Sequence, residues 1–501
     1  MANNVYSSAE YQSLGYTNTQ KVLTLYRGIL SREPDAVSSV QYWVSLLNAG
    51  HPMSTLVSNL VTQAEFYTLR DTQICAAVAP GAETVYRWGM LPVLRITPGE
   101  TPIEVDDVGG VKGLQHMLND AASAADKTVR LPQGSVIYAA KEIIVPAGVT
   151  LTTVGNVPPN QYAKMARIVR TANTGTTILT LQGGASVNGI WVSGQRNHII
   201  NGQQLQYMTM DASLKIAHGT ANASVIGSRF DTANGNTNIA ISGYSDATST
   251  SCNGHTVQNN LITGYTDTHR TNIASRYTDG ITNQCRNATV SGNGIVDVSD
   301  VGVVTFADYI LSGGVKTSQQ ASVVSNNTVI AAGSSTIAAY SFEPYEVAKD
   351  ANGNPLEQIK NLNFTNATFS GNRFWTGPGA HFDFGVAGSG KPWHGIYGHL
   401  GYGAKIINNT NEGIATNMQI GIAIDGMSNT TVSNNALRYV TLAVEGLCPT
   451  KAAIVADTGS ELTQSGTVPL STPGLITGNT QNGVAVSYTV GSVDNCQPGN
   501  H

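Results

Sequence analysis

Through the last two thirds of the chain, short apolar runs alternate with polar turns, and one phrase punctuates them. An apolar residue, two spacers and an asparagine recur seven times: Val257 to Asn260, Val290 to Asn293, Val324 to Asn327, Phe369 to Asn372, Ile406 to Asn409, Val432 to Asn435 and Ile476 to Asn479. The asparagines are 33, 34, 45, 37, 26 and 44 residues apart. Apolar pairs follow several copies (Leu261-Ile262, Ile295-Val296, Val329-Ile330), and Val225 with Ser228 reads as a degenerate earlier copy. A repeat in this length range marks stacked supersecondary units. The short alternating runs predict strands and turns for each unit, not helix pairs. Strands stack about 4.8 Å apart, so like residues form ladders and asparagine amides can bond along them. The pattern therefore predicts a parallel β-solenoid with Asn260, Asn293 and Asn327 in one ladder. One face of such a body is a long groove suited to an extended polymer.

The first 72 residues follow another period. Val22, Tyr26, Ile29 and Leu30 fall at helical spacing, as do Val40, Trp43, Val44 and Leu47. Gly50 and Pro52 stop the second run, and Ser54 is placed to cap a third through Leu60, Val61 and Ala64. Residues 73–100, with Pro80-Gly81 and Pro98-Gly99, read as a linker. A helix is predicted next from Leu114, Met117, Leu118, Ala121 and Ala125, and residues 101–501 then form the solenoid. The linker leads us to expect separate cores, so that removing residues 1–72 leaves a folded solenoid.

Two stretches carry resemblances. Tyr26-Arg27, Arg32-Glu33-Pro34-Asp35, Tyr42-Trp43 and Ala64-Glu65-Phe66 resemble a short helical domain of bacterial exported and surface proteins, related to phycobilisome linker domains. This implies an accessory or anchoring role. The order of helix, Val129-Arg130-Leu131-Pro132-Gln133-Gly134, then Ile143-Ile144-Val145-Pro146-Ala147-Gly148-Val149-Thr150-Leu151 resembles the entry to pectate-lyase-like right-handed β-helices. The implied fold is an all-β right-handed parallel β-helix with a small all-α N-terminal domain, its open end capped by the helix. That superfamily hosts lyases, hydrolases, epimerases, esterases and phage tailspikes, so the fold leaves the reaction open.

Composition narrows the partners. Only 12 % of residues are charged, the net charge is −5, and no basic run offers phosphate contacts, which argues against a nucleic-acid ligand. No apolar window of about 20 residues predicts a membrane span. The first residues lack the basic start and apolar core of a cleavable signal; a secreted or cell-surface protein would leave by another route. Five cysteines are too few for a disulfide framework, but Cys252 and Cys285 each precede a ladder asparagine by eight residues and could bridge adjacent rungs. Cys448 and Cys496 form a second candidate pair, and Cys75 is left over.

Carboxylates are scarce in the repeat region, so their clustering is informative. Asp267 and Asp300 each lie seven residues beyond a ladder asparagine, hence at one phase on neighbouring rungs. Like charges roughly 5 Å apart raise at least one pKa, which suits a glycosidase pair. Tyr277-Thr278-Asp279-Gly280 followed by Ser299-Asp300-Val301-Gly302 resembles the polygalacturonase-type glycoside hydrolases, with Asp279 as the first catalytic aspartate and Asp300 as the first of a pair. Tyr277 stands where that family has asparagine, Val301 where it has the second aspartate, and no Gly-His-Gly or Arg-x-Lys segment follows. Asp267 is then the candidate third carboxylate.

His269, Arg270, Arg276 and Tyr277, with Tyr265 nearby, are candidate substrate contacts, and so are Glu343 and Glu346, second-rank acid/base groups on a stretch that interrupts the rhythm. His381, Asp383, Lys391, Trp393, His394, Tyr397 and His399 are candidates for a groove wall. The plain alternatives are a turn at Asp279-Gly280 and loop histidines without partners. No spacing implies a metal, and no cofactor is expected.

The leading expectation is a glycoside hydrolase acting on an extracellular bacterial or plant polysaccharide. The alternatives are a polysaccharide lyase using His269, Arg270, Arg276 or Tyr277 on a uronic-acid polymer, and a non-catalytic glycan-binding surface protein. A homotrimer is compatible with this class of solenoid.

Overall fold

The computed structural model describes residues 2–71 and 96–493 except 98, 174–176, 197, 201–202, 207, 243–251, 265–276, 308, 312–314, 318–319, 333–335, 345–359, 378–379, 390–399, 412–415, 439, 443–447, 449, 458–459, 464–465 and 470–472. Three long sheets of 13, 12 and 11 strands run along the body, and within them all but the last pairing of the 13-stranded sheet are parallel. The fold is a right-handed parallel β-helix with a helical N-terminal region. A typical rung takes Thr289–Ser291 into the 11-stranded sheet, Gly294–Val296 into the 13-stranded sheet and Val301–Ala307 into the 12-stranded sheet.

The ladder forms as its spacing predicts, and all seven asparagines join it. Each backbone N–H and each side-chain amide donates to the Oδ1 of the next asparagine, from Asn260 to Asn293 (3.0 and 2.9 Å) through to Asn435 and Asn479 (3.0 and 2.9 Å). Ser228 stands at its head, its N–H donating to Asn260 Oδ1 at 2.9 Å. The residue before each asparagine adopts a left-handed backbone and is either glycine or asparagine, as at Asn259, Gly292, Asn326 and Gly371. Gly371 is required on two counts: its φ is +63°, and a Cβ there would come within 2.8 Å of Asn326 Oδ1. Between the sheets the core is a file of Val, Ile, Leu and Phe, and Leu114, Leu118 and Ala121 of the capping helix Leu114–Ser123 close it at the N-terminal end. Ala125 falls beyond that helix and is exposed.

Among the described residues, six helices precede the solenoid: Ala2–Tyr6, Ala9–Ser13, Asn18–Ile29, Val37–Asn48, Met53–Val61 and Ala64–Leu69. Thr17 and Gln20 cap the third reciprocally, which fixes its start. Ser54 is not the cap of the fifth. Pro52 takes that position with an extended backbone, and Ser54 lies inside the first turn.

The helices have an apolar core of their own, distinct from the file inside the solenoid, and it extends onto the solenoid's outer surface. Tyr26, Leu30 and Leu56 share one apolar cluster with Val136, Tyr138 and Val169 of the solenoid. A buried ion network crosses the same boundary: Arg27 donates to Glu33 (2.7 and 2.9 Å) and to Glu100 (3.2 and 2.5 Å), and Arg167 donates to Glu33 at 2.6 Å. Gln20 also donates to the Thr97 carbonyl at 3.2 Å, so the described end of the expected linker is held against the helices. The linker's composition gave no sign of this, because the charges that make the contact are spread from Arg27 to Arg167.

Candidate active site

The outer face of the 12-stranded sheet gathers the acidic residues. Its strand Asp279–Asn283 pairs in parallel with Val301–Ala307, which pairs with Thr336–Pro344, then with Phe382–Ser389 and Thr416–Asp425. A glycine breaks the in–out alternation in several of these strands. A Cβ at Gly280 would lie 2.8 Å from Ile295 Cγ2, and one at Gly302 would lie 2.6 Å from Val329 Cγ2, so both glycines point inward. Ile281 and Val303 also point inward, into the main core. Two successive inward residues put Asp279 and Thr282 on the outside together, three positions apart. Asp279-Gly280 is therefore no turn; its glycine is an in-strand packing requirement.

Asp279 and Asp300 come to neighbouring rungs, as the resemblance implies. Register places Asp279 opposite Val301, whose N–H donates to Asp279 Oδ1 at 3.0 Å, while Thr282 Oγ1 donates to Asp279 Oδ2 at 2.8 Å. Asp300 immediately precedes Val301, and both aspartates keep part of their surface open. Burial pushes the Asp279 carboxyl well above the usual carboxylate range, and the neighbouring Asp300 pushes it further. The hydrogen bonds from Thr282 and Val301 pull the other way and are the smaller effect.

Glu343 joins them from the next rung. It is 1 % exposed, and neither carboxyl oxygen has a hydrogen bond of normal geometry. Burial raises its pKa strongly, Asp300 and Asp279 add to the rise, and only Ser341 opposes it. Glu343 is thus a buried carboxyl near the aspartates, its ionisation opposed by burial and by their charge. Tyr277 packs, half-buried, against the apolar part of the same outer face with Val301, Val304 and Phe306.

Two rungs beyond Asp300, the expectation of unpartnered histidines fails at His381. Its Nε2 lies 3.5 Å from Asp383 Oδ1, which also accepts from Gln419 Nε2 at 2.6 Å; Gln419 Oε1 is held in turn by the Cys448 N–H at 2.8 Å. Asp383 is wholly buried while His381 is partly open. Register places Asp383 beside Ile337, and Ile337 beside Asp300, so the two aspartates are about 10 Å apart along the stack. His-x-Asp on one strand is a weak sequence signal, and Gln419 carried none. Asp267, His269, Arg270, Arg276 and Glu346 lie outside the described residues, as do Tyr265, Lys391, Trp393, His394, Tyr397 and His399.

Cys252 and Cys285 are bridged between adjacent rungs, with Cα atoms 5.3 Å apart. His255 lies beside them, but this is no metal centre. The sulfurs are bonded to each other, His255 Nδ1 accepts from the Ala223 N–H at 3.1 Å, and Nε2 donates to the Thr220 carbonyl at 2.9 Å. No lone pair remains for a cation.

A family model described as a domain of unknown function, DUF4214, matches residues 2–70. No curated protein matches the chain. Among solved structures, the catalytic domain of a GH87 alpha-1,3-glucanase in complex with nigerose aligns at 12 % identity and a TM-score of 0.36, over 79 % of this chain and 68 % of that one. PfbA, a surface adhesin of Streptococcus pneumoniae, aligns at 12 % identity and 0.37, over 74 % and 94 %. A PL6 alginate lyase in complex with a trisaccharide aligns at 12 % identity and 0.36, over 74 % and 69 %. Likeness at this level carries no argument about substrate or site.

Proposed function

We propose that this protein is a polysaccharide-cleaving enzyme, a glycoside hydrolase whose reacting carboxyls are Asp279 and Asp300. The observation that carries this reading is the coupled pair itself: two partly open carboxyls on neighbouring rungs, one held well above its usual pKa. In hydrolysis the glycosidic C–O bond breaks, a proton goes to the leaving oxygen, and water supplies the new C–O bond. A pair in which one carboxyl keeps its proton above the usual range beside a second carboxyl has both roles available: the protonated carboxyl donates, while an ionised one attacks the anomeric carbon or activates the water. His381 and Asp383 form a second polar station further along the same face, placed to contact a neighbouring sugar. The rung-to-rung disulfide fits an oxidising location outside the cytoplasm, and the uncharged turns suit an uncharged or weakly acidic glycan.

The test is reducing-end release across a panel of polysaccharides, with products identified by mass spectrometry. Asp300→Asn keeps size and most hydrogen bonds but removes the ionisable group, so turnover falls about a hundredfold or more while folding survives. Near-normal turnover in that variant would sink the reading. An unsaturated product absorbing in the ultraviolet would replace it with elimination. Use of Asp279 with Asp300, on neighbouring rungs, suits the shorter carboxyl separation of retaining enzymes, whereas use of Asp300 with Asp383 would span two rungs and favour inversion. Product anomer by proton NMR distinguishes the two.

A further inference from the structure

The largest wholly buried side chain among the described residues is a charged one, Arg196, at 1 % exposure. It follows the strand Ile190–Ser193 of the 13-stranded sheet, and its Nη1 donates to Thr278 Oγ1 at 3.1 Å. Thr278 belongs to the rung of Leu261–Thr263, two rungs further along that sheet. The side chain therefore reaches about 10 Å along the stack. Burying a guanidinium is costly even when it is hydrogen-bonded, and a packing role alone would be filled at less cost by Met or Leu.

Thr278 explains the position. It is wholly buried and ties neighbouring rungs together. Its Oγ1 donates to the Gly235 carbonyl at 2.9 Å on the preceding rung, and its N–H donates to Ser299 Oγ at 3.0 Å on the following one. Its carbonyl accepts from the N–H groups of Ser299 and Asp300, both at 3.2 Å. The residue before Asp279 in the chain thus holds the backbone of Asp300. Beyond it, the Asp279 carbonyl accepts from Asn238 Nδ2 at 3.0 Å. A displacement of Thr278 moves both aspartates.

We propose that Arg196 is a positioning residue that sets the separation of Asp279 and Asp300 through Thr278. The inference rests on the reading of those two aspartates as the reacting pair. An arginine only donates, so Thr278 Oγ1 must accept from it and send its single hydrogen to Gly235, which leaves the hydroxyl one orientation. Arginine also stays protonated at any working pH, so the clamp does not titrate along with the carboxyls it positions.

The test uses the full chain and a polysaccharide that it cleaves. Arg196→Met keeps the length of the side chain without a donor, Thr278→Val keeps the shape without the hydroxyl, and Thr278→Ser keeps the hydroxyl. In the first two, kcat should fall about ten- to hundredfold with KM little changed, as for a displacement on the order of 1 Å. Thr278→Ser should restore turnover. The double variant should be no worse than the worse single one, since both remove the same bond. The limbs of the pH–rate profile should move in Thr278→Val as in Arg196→Met, because the separation of two carboxyls sets how far each displaces the other's pKa. Thr278→Val removes no charge, so a shared shift reports position. A merely structural role would lower the melting temperature and leave KM and the pH profile as they are. Full turnover with an unmoved profile in Thr278→Val overturns the proposal, and so do additive losses in the double variant. Should Arg196→Met fail to fold, Thr278→Val against Thr278→Ser decides. If Asp300→Asn keeps its turnover, the reading of the pair has failed; if Asp300→Asn is inactive while Thr278→Val is unimpaired, that reading stands and the positioning role alone falls.

Discussion

Replacing Asn327 with alanine tests the ladder that sets every other register in the molecule. Asn327 is wholly buried. Its Oδ1 accepts from the Asn293 N–H at 3.0 Å and from Asn293 Nδ2 at 2.8 Å. Its Nδ2 donates to the Val290 carbonyl at 2.9 Å and to Asn372 Oδ1 at 3.1 Å. Alanine keeps the bond from the Asn327 N–H to Asn372 Oδ1, which is backbone on this side. It strands two buried donors on Asn293, and each buried group left unsatisfied costs about 1–3 kcal/mol. The expected loss is therefore about 4 kcal/mol, larger than the ~1 kcal/mol of an average hydrogen bond exchanged with water. Asn479→Ala strands the same two donors, on Asn435, but breaks no bond to a further asparagine, so its cost should be smaller. Urea denaturation of both variants measures the difference, and hydrogen exchange at the Asn293 amide should report lost protection. A loss under about 1 kcal/mol for Asn327→Ala, with Asn293 still protected, would mean that the asparagines decorate the corner without holding it.

The remaining predictions concern the acidic face and the N-terminal region. The folded pKa of Glu343 is raised above its unfolded value, so its contribution to stability is fully present at low pH and is lost as pH rises through the folded pKa. Stability should therefore decline by about 1.4 kcal/mol per pH unit for each such group above its unfolded pKa; Glu343→Gln should flatten that decline by one proton in denaturation midpoints between about pH 5 and 8, and an unchanged slope would show that Glu343 is ionised in the fold. The same variant should reduce turnover less than Asp300→Asn does, since Glu343 is closed off while the aspartates are partly open. Glu33→Ala leaves Arg27 and Arg167 buried without their shared carboxylate and should cost about 3–5 kcal/mol. Removing residues 1–72 should give a chain that aggregates, because Val136, Tyr138 and Val169 lose their cover; a soluble truncation with an unchanged melting curve would restore the view of the helices as a detachable module.

What the sequence made legible follows from where the information is local. The ladder was readable because one hydrogen-bonding function must recur at one phase on every rung, and asparagine supplies both a donor and an acceptor. Asp300 was readable partly from its phase on a rung, and Asp279 only from the resemblance of Tyr277-Thr278-Asp279-Gly280 and Ser299-Asp300 to a hydrolase pattern. The raised Glu343, the His381–Asp383–Gln419 chain and the Glu33 network were not, because they depend on burial or on partners as far as 36 and 134 residues away. A Pro-Gly-bearing stretch such as 73–100 marks a break in the hydrophobic pattern and carries no information on what the flanking elements pack against.

The departures from rung regularity are concentrated on one face. Inside, the stack repeats Val, Ile and Phe with few exceptions and satisfies its corner amides through the asparagines. Outside the 12-stranded sheet, Asp279, Asp300, Glu343 and Asp383 occupy successive or near-successive rungs, and two of them are held against their usual ionisation. Desolvating carboxyls beside one another destabilises a fold unless they take up protons. No packing requirement calls for them there, since Val304, Ala387 and Ala423 fill equivalent outward positions on the same strands at no such cost. The inner ladder supplies rigidity that does not depend on this face, so the face is free to carry strained ionisation. That division of labour is why the acidic cluster, and not the fold, is the feature to which a function should be attached.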